Sequence, residues 1–303
     1  MRRTFLNEYK NVSTDVYEFS EQLYDMILDN SDNTQMKKSR INGFLYIENN
    51  FVVDITSCKK WIFKNINKLS VRYVLYVAET TKEYNYIMQN VDFEANSESD
   101  YNKRTITIVS GFINGYIASD FLGTICHEVN HLFEYDNGRE KRVDLYDKVR
   151  ELLSKDDTDA NIVGNAIYYS FQHEIDAFVH EFYGFLQQEK PNHLTFEQLV
   201  NYSEYNNAKY AYKNFLSRKD NPNIIKWINY LGYNRRDYIK RIKYGLQRLY
   251  RKIKNAYLRY RLEDRVMTEG LIHRLQKNEK IRMEESRYYN TDIQWGIELL
   301  YNF

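Results

Sequence analysis

Apolar residues recur every three or four positions near the start of the chain. Between residues 14 and 29 they fall at Val16, Phe19, Leu23 and Ile27, with mostly polar residues between them. This spacing places the four side chains on one face of an α-helix, because such a helix turns once in about 3.6 residues. The pattern predicts an amphipathic helix that packs against a core through that face.

The next hundred residues carry shorter patterns that are typical of β-strands. Residues 44–55 contain two β-rich runs on either side of Asn49 and Asn50, which tolerate a left-handed turn, and this predicts a hairpin. Residues 71–79 predict a buried strand, and 104–112 predict another strand because polar and apolar residues alternate there. These segments indicate a small N-terminal sheet, which we expect to be twisted.

Helical spacing marks most of the other segments. The predicted helices are a short one at 58–69 and longer ones at 140–155, 161–188, 204–217 and 235–266. A further helix, with residues 127–131 on it, lies between the sheet and the later helices. The order of elements predicts an α+β fold that is predominantly helical. We expect two parts, at 1–190 and 191–303, the second wholly helical.

The composition indicates a globular chain without a membrane span. Of its 303 residues, 43% are hydrophobic and 28% are charged, and a net charge of +1 indicates no particular partner. No apolar run has the length of a signal peptide or a transmembrane helix, and two cysteines are too few for a disulfide framework. We expect a cytoplasmic protein, or one packaged in a virion if a phage encodes it, since abundant Tyr, Asn, Lys and Ile are typical of AT-rich genomes. The oligomeric state is not indicated.

The sequence HEVNH at residues 127–131 has the spacing of a zinc-binding helix. His127 and His131 lie one turn apart on one helix face, so both imidazoles can reach one ion at about 2.0–2.1 Å. Glu128 lies about 100° round the helix, which suits a general base that holds a water molecule. Asp120 is a candidate N-cap. The motif predicts one Zn²⁺ per chain.

The same motif also arises by chance on ordinary helices, where the two histidines would be a structural pair. Its context favours a metal site, because the motif follows an alternating strand and opens a helix. In addition, four of the six histidines fall within one short span, and these are His127, His131, His173 and His180.

A third ligand is expected from residues 168–186. Glu174 shares a helix face with apolar residues, where a carboxylate is costly unless it is paired or bound to a metal. Glu174 is therefore the best candidate, with His173 and His180 as alternatives. Glu181, on the same face, is either a hydrogen-bond acceptor for a ligand histidine or part of a solvated helix end. The side chains that could donate a hydrogen bond to a developing oxyanion are His173, His180, Tyr168, Tyr169 and Tyr183.

The segments HEVNH and HEIDA, the second at residues 173–177, together resemble the glutamate-type zincin metallopeptidases. In that family a His-Glu-x-x-His helix is followed by a Glu-x-x-Ala segment on a later helix, and here the matching residues are Glu174 and Ala177. The resemblance covers about residues 40–190. It implies that the part at 1–190 is a zincin-like metallopeptidase domain acting on a peptide or protein substrate.

The family pattern also implies roles for particular residues. The implied zinc ligands and general base are His127, His131, Glu174 and Glu128. The strand at 104–110 would be the sheet edge along which an extended peptide pairs, through Thr105, Ile106, Thr107 and Ile108. One position departs from the pattern. Many such enzymes have Asp four residues after the ligand glutamate, to orient a ligand histidine, and this chain has Phe178 there.

The segment 235–265 is strongly basic, with 12 Lys or Arg residues against 3 acidic ones. Its apolar residues form one helical seam, made of Ile239, Ile242, Leu246, Leu249, Ile253 and Ala256. One interpretation is a bundle helix with a solvated basic face. The other is contact with an anionic partner, which could be a nucleic acid, an acidic protein or an anionic surface.

These features predict a zinc-dependent peptidase that hydrolyses peptide bonds through a metal-activated water molecule. The alternative is a structural or interaction protein, such as a phage particle component, that keeps a zincin-like fold and acts through its basic helix. A carboxylate-bridged di-iron bundle is a third option. That site would need a second Glu-x-x-His segment, and none lies near Glu174.

Overall fold

A mixed β-sheet occupies the N-terminal part of the protein in a computed structural model. Its strands are β1 (Met36–Lys38), β2 (Leu45–Asp54), β3 (Lys68–Ala78), β4 (Glu98–Asp100), β5 (Thr105–Ile113) and β6 (Tyr116–Ile117). They lie in the order β1-β2-β3-β5-β4, and β6 pairs with β5. Only β3 and β5 are parallel; the other pairs among these strands are antiparallel. The strands predicted at 71–79 and 104–112 are therefore confirmed as β3 and β5.

The structure describes residues 14–31, 36–38, 43–59, 62–91, 97–113, 116–118, 120–138 and 144–276. Residues 60–61 and 140–143 of two predicted helices lie outside these ranges, and so do residues 277–303 of the predicted C-terminal part.

Ten α-helices lie in the described residues. They are α1 (Thr14–Ser31), α2 (Thr81–Asn90), α3 (Phe121–Asp136), α4 (Asp144–Leu153), α5 (Thr158–Tyr168), α6 (Gln172–Glu189), α7 (Phe196–Leu199), α8 (Tyr205–Arg218), α9 (Pro222–Tyr230) and α10 (Arg235–Gln276). The predicted α+β, predominantly helical fold is confirmed, with the HEVNH helix α3 at the junction between the sheet and the later helices. No helix in the described ranges has the length and hydropathy of a membrane span.

The hairpin predicted at 44–55 is wrong. The strand β2 continues through Asn49 and Asn50, which pair with Tyr73 and Arg72 of β3. The turn potential of two asparagines is local and weak, whereas β2 gains a full antiparallel ladder from its neighbour. The antiparallel partner of β2 is therefore β3, which follows it along the chain, and residues 44–55 do not fold back on themselves.

The short helix predicted at 58–69 is also wrong in the described residues. The backbone N–H groups of Lys64 and Asn65 donate to the carboxylate of Asp136, at the end of α3, and strand β3 begins at Lys68. Asp136 also accepts a hydrogen bond from Tyr101, at 3.0 Å. Because a buried carboxylate satisfies these donors, the segment needs no helical hydrogen bonds, and it ties the end of α3 to the sheet.

The single helix predicted at 161–188 is divided into α5 and α6. The backbone N–H of Ser170 donates to the Ile167 carbonyl, and that of Phe171 donates to the Tyr168 carbonyl. The Ser170 hydroxyl also donates to the Ile167 carbonyl, at 2.7 Å. These bonds close α5 with a tight turn, since a serine side chain competes for the backbone acceptors of a helix. The break makes Glu174 part of the first turn of a new helix.

Helices cover both faces of the sheet. One face packs against α1 and α3, with Leu23, Tyr73, Ile108 and Ile125 in the shared core. The other face packs against α2, where Ile87 lies in a smaller cluster. The later helices form two further cores, each with residues from before and after position 190. Neither core ends at residue 190. The predicted division of the chain into parts 1–190 and 191–303 stays a prediction.

Helices α3 and α6 approach each other very closely. A Cβ atom placed on Gly184 would lie 3.0 Å from the Gly123 Cα, and one on Gly123 would lie 2.8 Å from the Glu181 carbonyl oxygen. Two glycines therefore permit a backbone contact that any larger residue would prevent. The small residue named on this helix from the sequence was Ala177, which is buried on α6, and the two glycines were missed.

Candidate metal centre

Helix α3 carries both motif histidines into the interior. His127 is 6% exposed, and its Nε2 atom lies 3.1 Å from the Nε2 atom of His131. The helix is held in place by buried apolar residues on its other side, such as Ile125 and Val129. Asp120 occupies the N-cap position, but its side chain makes no capping bond because its backbone is already helical. The predicted helix start at Asp120 is therefore confirmed, whereas the expected side-chain cap is wrong.

The carboxylate of Glu174 meets the two histidines from α6. Its Oε2 atom lies 3.6 Å from the His131 Nε2 atom and 3.9 Å from the His127 Nε2 atom. Four ligands around a tetrahedral zinc ion at about 2.0–2.1 Å are separated from each other by about 3.3–3.4 Å. The three separations of 3.1, 3.6 and 3.9 Å bracket that value, and the three residues form a group that could hold a metal ion.

For His127 and Glu174, the surroundings favour the protonation states that metal binding requires. Burial and the neighbouring His131 lower the pKa of His127, so the neutral imidazole is favoured. Burial raises the pKa of Glu174, but His131 and His173 outweigh it and lower that pKa well below its usual range. Metal ligands must be neutral histidines and ionised carboxylates. His127 and Glu174 therefore need little proton release to bind a cation.

Glu181 lies behind the first histidine. Its Oε2 atom is 2.8 Å from the His127 Nδ1 atom. With the proton on Nδ1, this contact leaves the Nε2 lone pair directed at the centre of the group. Burial, with Glu204 and Asp120 nearby, raises the pKa of Glu181 well above its ordinary value. A cation at the centre would offset that concentration of negative charge.

The position of Glu181 accounts for the departure at Phe178. The Phe178 ring packs against the His127 ring at 5.1 Å between centroids, so it supports the imidazole without a hydrogen bond. The carboxylate that orients His127 comes instead from a residue seven positions after Glu174, about two helical turns further on. The expected acceptor role of Glu181 thus has the required geometry.

Substitution of Glu181 by Gln is expected to weaken zinc binding by about 10–100-fold. The amide can still accept a hydrogen bond, but it cannot ionise when a cation binds, so it cannot strengthen His127 as a ligand. Competition with a fluorescent chelator measures the change. The matched control is Glu189→Gln, an exposed position on the same helix. Equal zinc affinity in both variants would show that Glu181 does not support the metal.

Two tyrosine hydroxyls donate hydrogen bonds to the Glu174 carboxylate. The Tyr146 hydroxyl donates to Oε1 at 2.9 Å, and the Tyr168 hydroxyl donates to Oε2 at 2.8 Å. These contacts, with the first-turn position of Glu174, stabilise an ionised carboxylate in the interior. From the sequence, Tyr168 was named only as a candidate donor to an oxyanion, so its contact with Glu174 was not predicted, and Tyr146 was missed. Tyr146 lies on α4, and no local pattern relates that helix to HEVNH.

Glu128 is buried next to the ligand pair, with 6% of its surface exposed. Burial raises its pKa, and the nearby His127, His131 and the hydroxyl of Ser99 act in the opposite direction. Because Ser99 belongs to strand β4, the carboxylate lies between α3 and the edge of the sheet. A base at this position can exchange a proton with a water molecule near the metal group.

The remaining predicted polar residues lie in different surroundings. His173 stacks on Phe171, and its Nε2 atom is 3.4 Å from Glu174 Oε1 without hydrogen-bond geometry. His180 contacts the Asp176 carbonyl of its own helix at 2.8 Å, and the charged groups near it are Asp176 itself and Lys252 and Arg259 of α10. The Tyr169 hydroxyl donates to Glu204 at 3.1 Å. Of the alternatives to Glu174, only His173 is therefore adjacent to the ligand group.

Strand β5 is not the sheet edge that the sequence analysis expected. Strand β4 pairs with Thr105, Ile106 and Thr107, and the Val109 N–H donates to the Ser97 hydroxyl at 3.0 Å. The expectation that Thr105–Ile108 forms a free edge is therefore wrong. A three-residue strand carries too weak a pattern to be detected from sequence. The outermost strand on this side of the described sheet is β4.

No family model, curated protein or solved structure matches this chain. The chemistry of the site must therefore be inferred from its own side chains. Two imidazole nitrogens and a carboxylate oxygen are a donor set that suits zinc, and the same set also suits iron(II). A buried glutamate beside the pair of histidines is the feature that favours hydrolysis.

Proposed function

We propose that this protein is a zinc-dependent peptidase of the glutamate-type zincin kind. The observation that carries the proposal is the convergence of His127, His131 and Glu174, with Glu128 buried beside them on the same helix. Three protein ligands leave a fourth position open, which is typical of catalytic rather than structural zinc sites. The α+β arrangement, with α3 between the sheet and α6, supports the same family.

Each of the nearby side chains has a role in this proposal. A bound zinc ion supplies Lewis acidity toward the scissile carbonyl and the attacking water. Glu128 accepts the proton of the water and returns it to the leaving amine. Glu181 orients His127, and the tyrosines at 146 and 168 hold Glu174. A tyrosine hydroxyl released from Glu174 can also donate to the oxyanion.

The proposal places the peptide substrate along strand β4. This strand is the outermost on its side of the described sheet, and its residue Ser99 contacts Glu128. An extended peptide can pair with an exposed strand through its backbone, which makes the contact independent of most side chains. The pairing would bring a peptide bond next to Glu128.

Metal analysis and a peptidase assay test this function together. The purified protein is expected to contain about one zinc per chain and to hydrolyse a broad peptide library. Removal of the metal with a chelator should abolish hydrolysis, and added zinc should restore it. Iron in place of zinc, or zinc without hydrolysis, would contradict the peptidase assignment. No bound transition metal and no effect of added zinc on the melting temperature would contradict the site itself.

A further inference from the structure

The solvent-facing side of α10 carries a row of cations. Of its six exposed basic residues between 236 and 254, five lie along one side of the helix, and these are Arg236, Lys240, Lys243, Arg251 and Lys254. At about 100° per residue, they fall within an arc of about 80°, and 18 residues span about 27 Å. We refer to these five residues as the α10 basic face. The row is therefore narrow, straight and longer than a single small ligand.

Other basic residues of α10 are used within the protein. Lys252 forms an ion pair with Asp176 on α6, and Arg248 donates to Gln172 on the same helix. Arg259 pairs with Glu263 at 2.8 Å. The contacts of Lys252 and Arg248 attach α10 to α6, whereas the Arg259 pair lies within α10. All three basic residues are therefore already paired within the protein.

The charges of the α10 basic face are not neutralised by ion pairs within the described residues. None of its five residues forms an ion pair with any carboxylate in the part of the chain that the structure describes. The only acidic residue between 236 and 258 is Asp237, which lies about 100° from Arg236 on the helix and is hydrogen-bonded to Asn234. Five adjacent like charges repel each other, so an anionic partner would stabilise this surface.

Exposed tyrosines border the row on both sides. Tyr244 is 62% exposed and Tyr250 is 37% exposed. Tyr250 packs against Tyr205 at 5.0 Å between ring centroids, whereas no ring contact involves Tyr244 in the described residues. A tyrosine exposed to this degree beside a cation row presents a flat apolar surface on which a base can stack.

We propose that the α10 basic face binds a single-stranded nucleic acid, with phosphates along the row and a base on Tyr244. A linear row matches a linear polyanion. A lipid surface is a poorer match, because the apolar side of α10, with Leu249 and Ile253, is fully buried against the bundle and cannot enter a membrane. The flanking tyrosine favours a single strand, whose bases are accessible, over a duplex. This inference is independent of the proposed peptidase activity.

The size of the face predicts the salt dependence. Five phosphate contacts with a single strand give a slope of log K against log salt of about −3.5. Affinity for a fluorescent dT oligonucleotide should therefore fall about a hundredfold between 50 and 200 mM salt, as measured by anisotropy on the full chain. Neutralising Lys240, Lys243 and Lys254 to Gln should reduce the slope to about −1.4.

The matched control removes the same charge elsewhere. Lys59, Lys68 and Lys82 are exposed on the sheet side of the protein, so their triple Gln variant has the same net charge as the α10 variant. The proposal expects the control to bind like the wild type. Equal losses in both triple variants, or no binding of the oligonucleotide by the wild type, would overturn it.

A tyrosine substitution distinguishes a single strand from other polyanions. Tyr244→Ala should weaken dT binding about tenfold and leave heparin binding unchanged, because heparin has no bases to stack. Tyr86→Ala, at an exposed tyrosine on α2, is the control and should change neither. Tighter binding of a duplex, of polyglutamate or of phosphatidylserine vesicles than of dT would overturn the assignment to a single strand.

Discussion

Replacement of Glu128 by Gln is expected to lower kcat for peptide hydrolysis by about 10²–10⁴-fold while zinc stays bound. Gln has nearly the same shape as Glu, but it cannot accept a proton from water at neutral pH. The side chain is 6% exposed and burial raises its pKa, so a neutral amide is well tolerated at this position. We therefore expect the melting temperature of the variant to equal or exceed that of the wild type.

The experiment compares zinc content and turnover in three proteins. Glu134→Gln makes the same chemical change further along α3 and should retain both zinc and activity. Loss of activity in Glu128→Gln with full zinc content would assign the proton-transfer role to that carboxylate. Activity close to that of the wild type would rule out Glu128 as the base, and the hydrolytic mechanism would need another residue.

Removal of the Glu174 carboxylate is expected to have the largest effect on the metal. Glu174→Ala should weaken zinc binding by more than about a hundredfold, since two histidines alone hold zinc poorly and the loss of a direct ligand exceeds that of a supporting residue. It also leaves the hydroxyls of Tyr146 and Tyr168 without their acceptor, which lowers the free energy of unfolding by about 1–3 kcal/mol.

A second variant separates these two effects. Glu174→Gln keeps an acceptor oxygen for one tyrosine hydroxyl, and its amide NH₂ can donate to the oxygen of the other, so it should restore much of the stability while zinc affinity remains low. His173→Ala and His180→Ala are the matched controls, because both residues were alternatives for the third ligand, and both should retain zinc. Calorimetric titration with zinc measures all four. Wild-type affinity in Glu174→Gln, together with a large loss in His173→Ala, would transfer the ligand role to His173.

The main elements of the fold were predictable wherever a long local pattern was present. Helices α1, α3, α8 and α10 and strands β3 and β5 each follow a continuous apolar period in the sequence. The errors lie where a distant contact decides a short segment. Asn49 and Asn50 were assigned to a turn because the pairing of β2 with β3 is invisible locally, and the residues before β3 were assigned to a helix because their acceptor, Asp136, lies more than 70 positions away.

The metal group was likewise predictable only in part from the sequence. The pairing of His127 with His131 is a property of any helix with that spacing, and Glu174 could be inferred from the cost of a carboxylate on an apolar face. The distances among the three, however, depend on how closely α3 and α6 pack, and that depends on the two glycines at their crossing. Periodicity along one segment contains no information about the separation of two segments.

The surroundings of the group were decided by tertiary contacts alone. The tyrosine at position 146 reaches Glu174 from a separate helix, and strand β4 takes the edge that the sequence analysis assigned to β5. On α10 the sequence showed an excess of basic residues, but only the packing on α6 distinguished those that are paired, such as Lys252, from those that face solvent. The composition and period of a segment determine its secondary structure and its amphipathic faces, because both arise from neighbouring residues. Which side chains meet across segments is determined by packing in three dimensions.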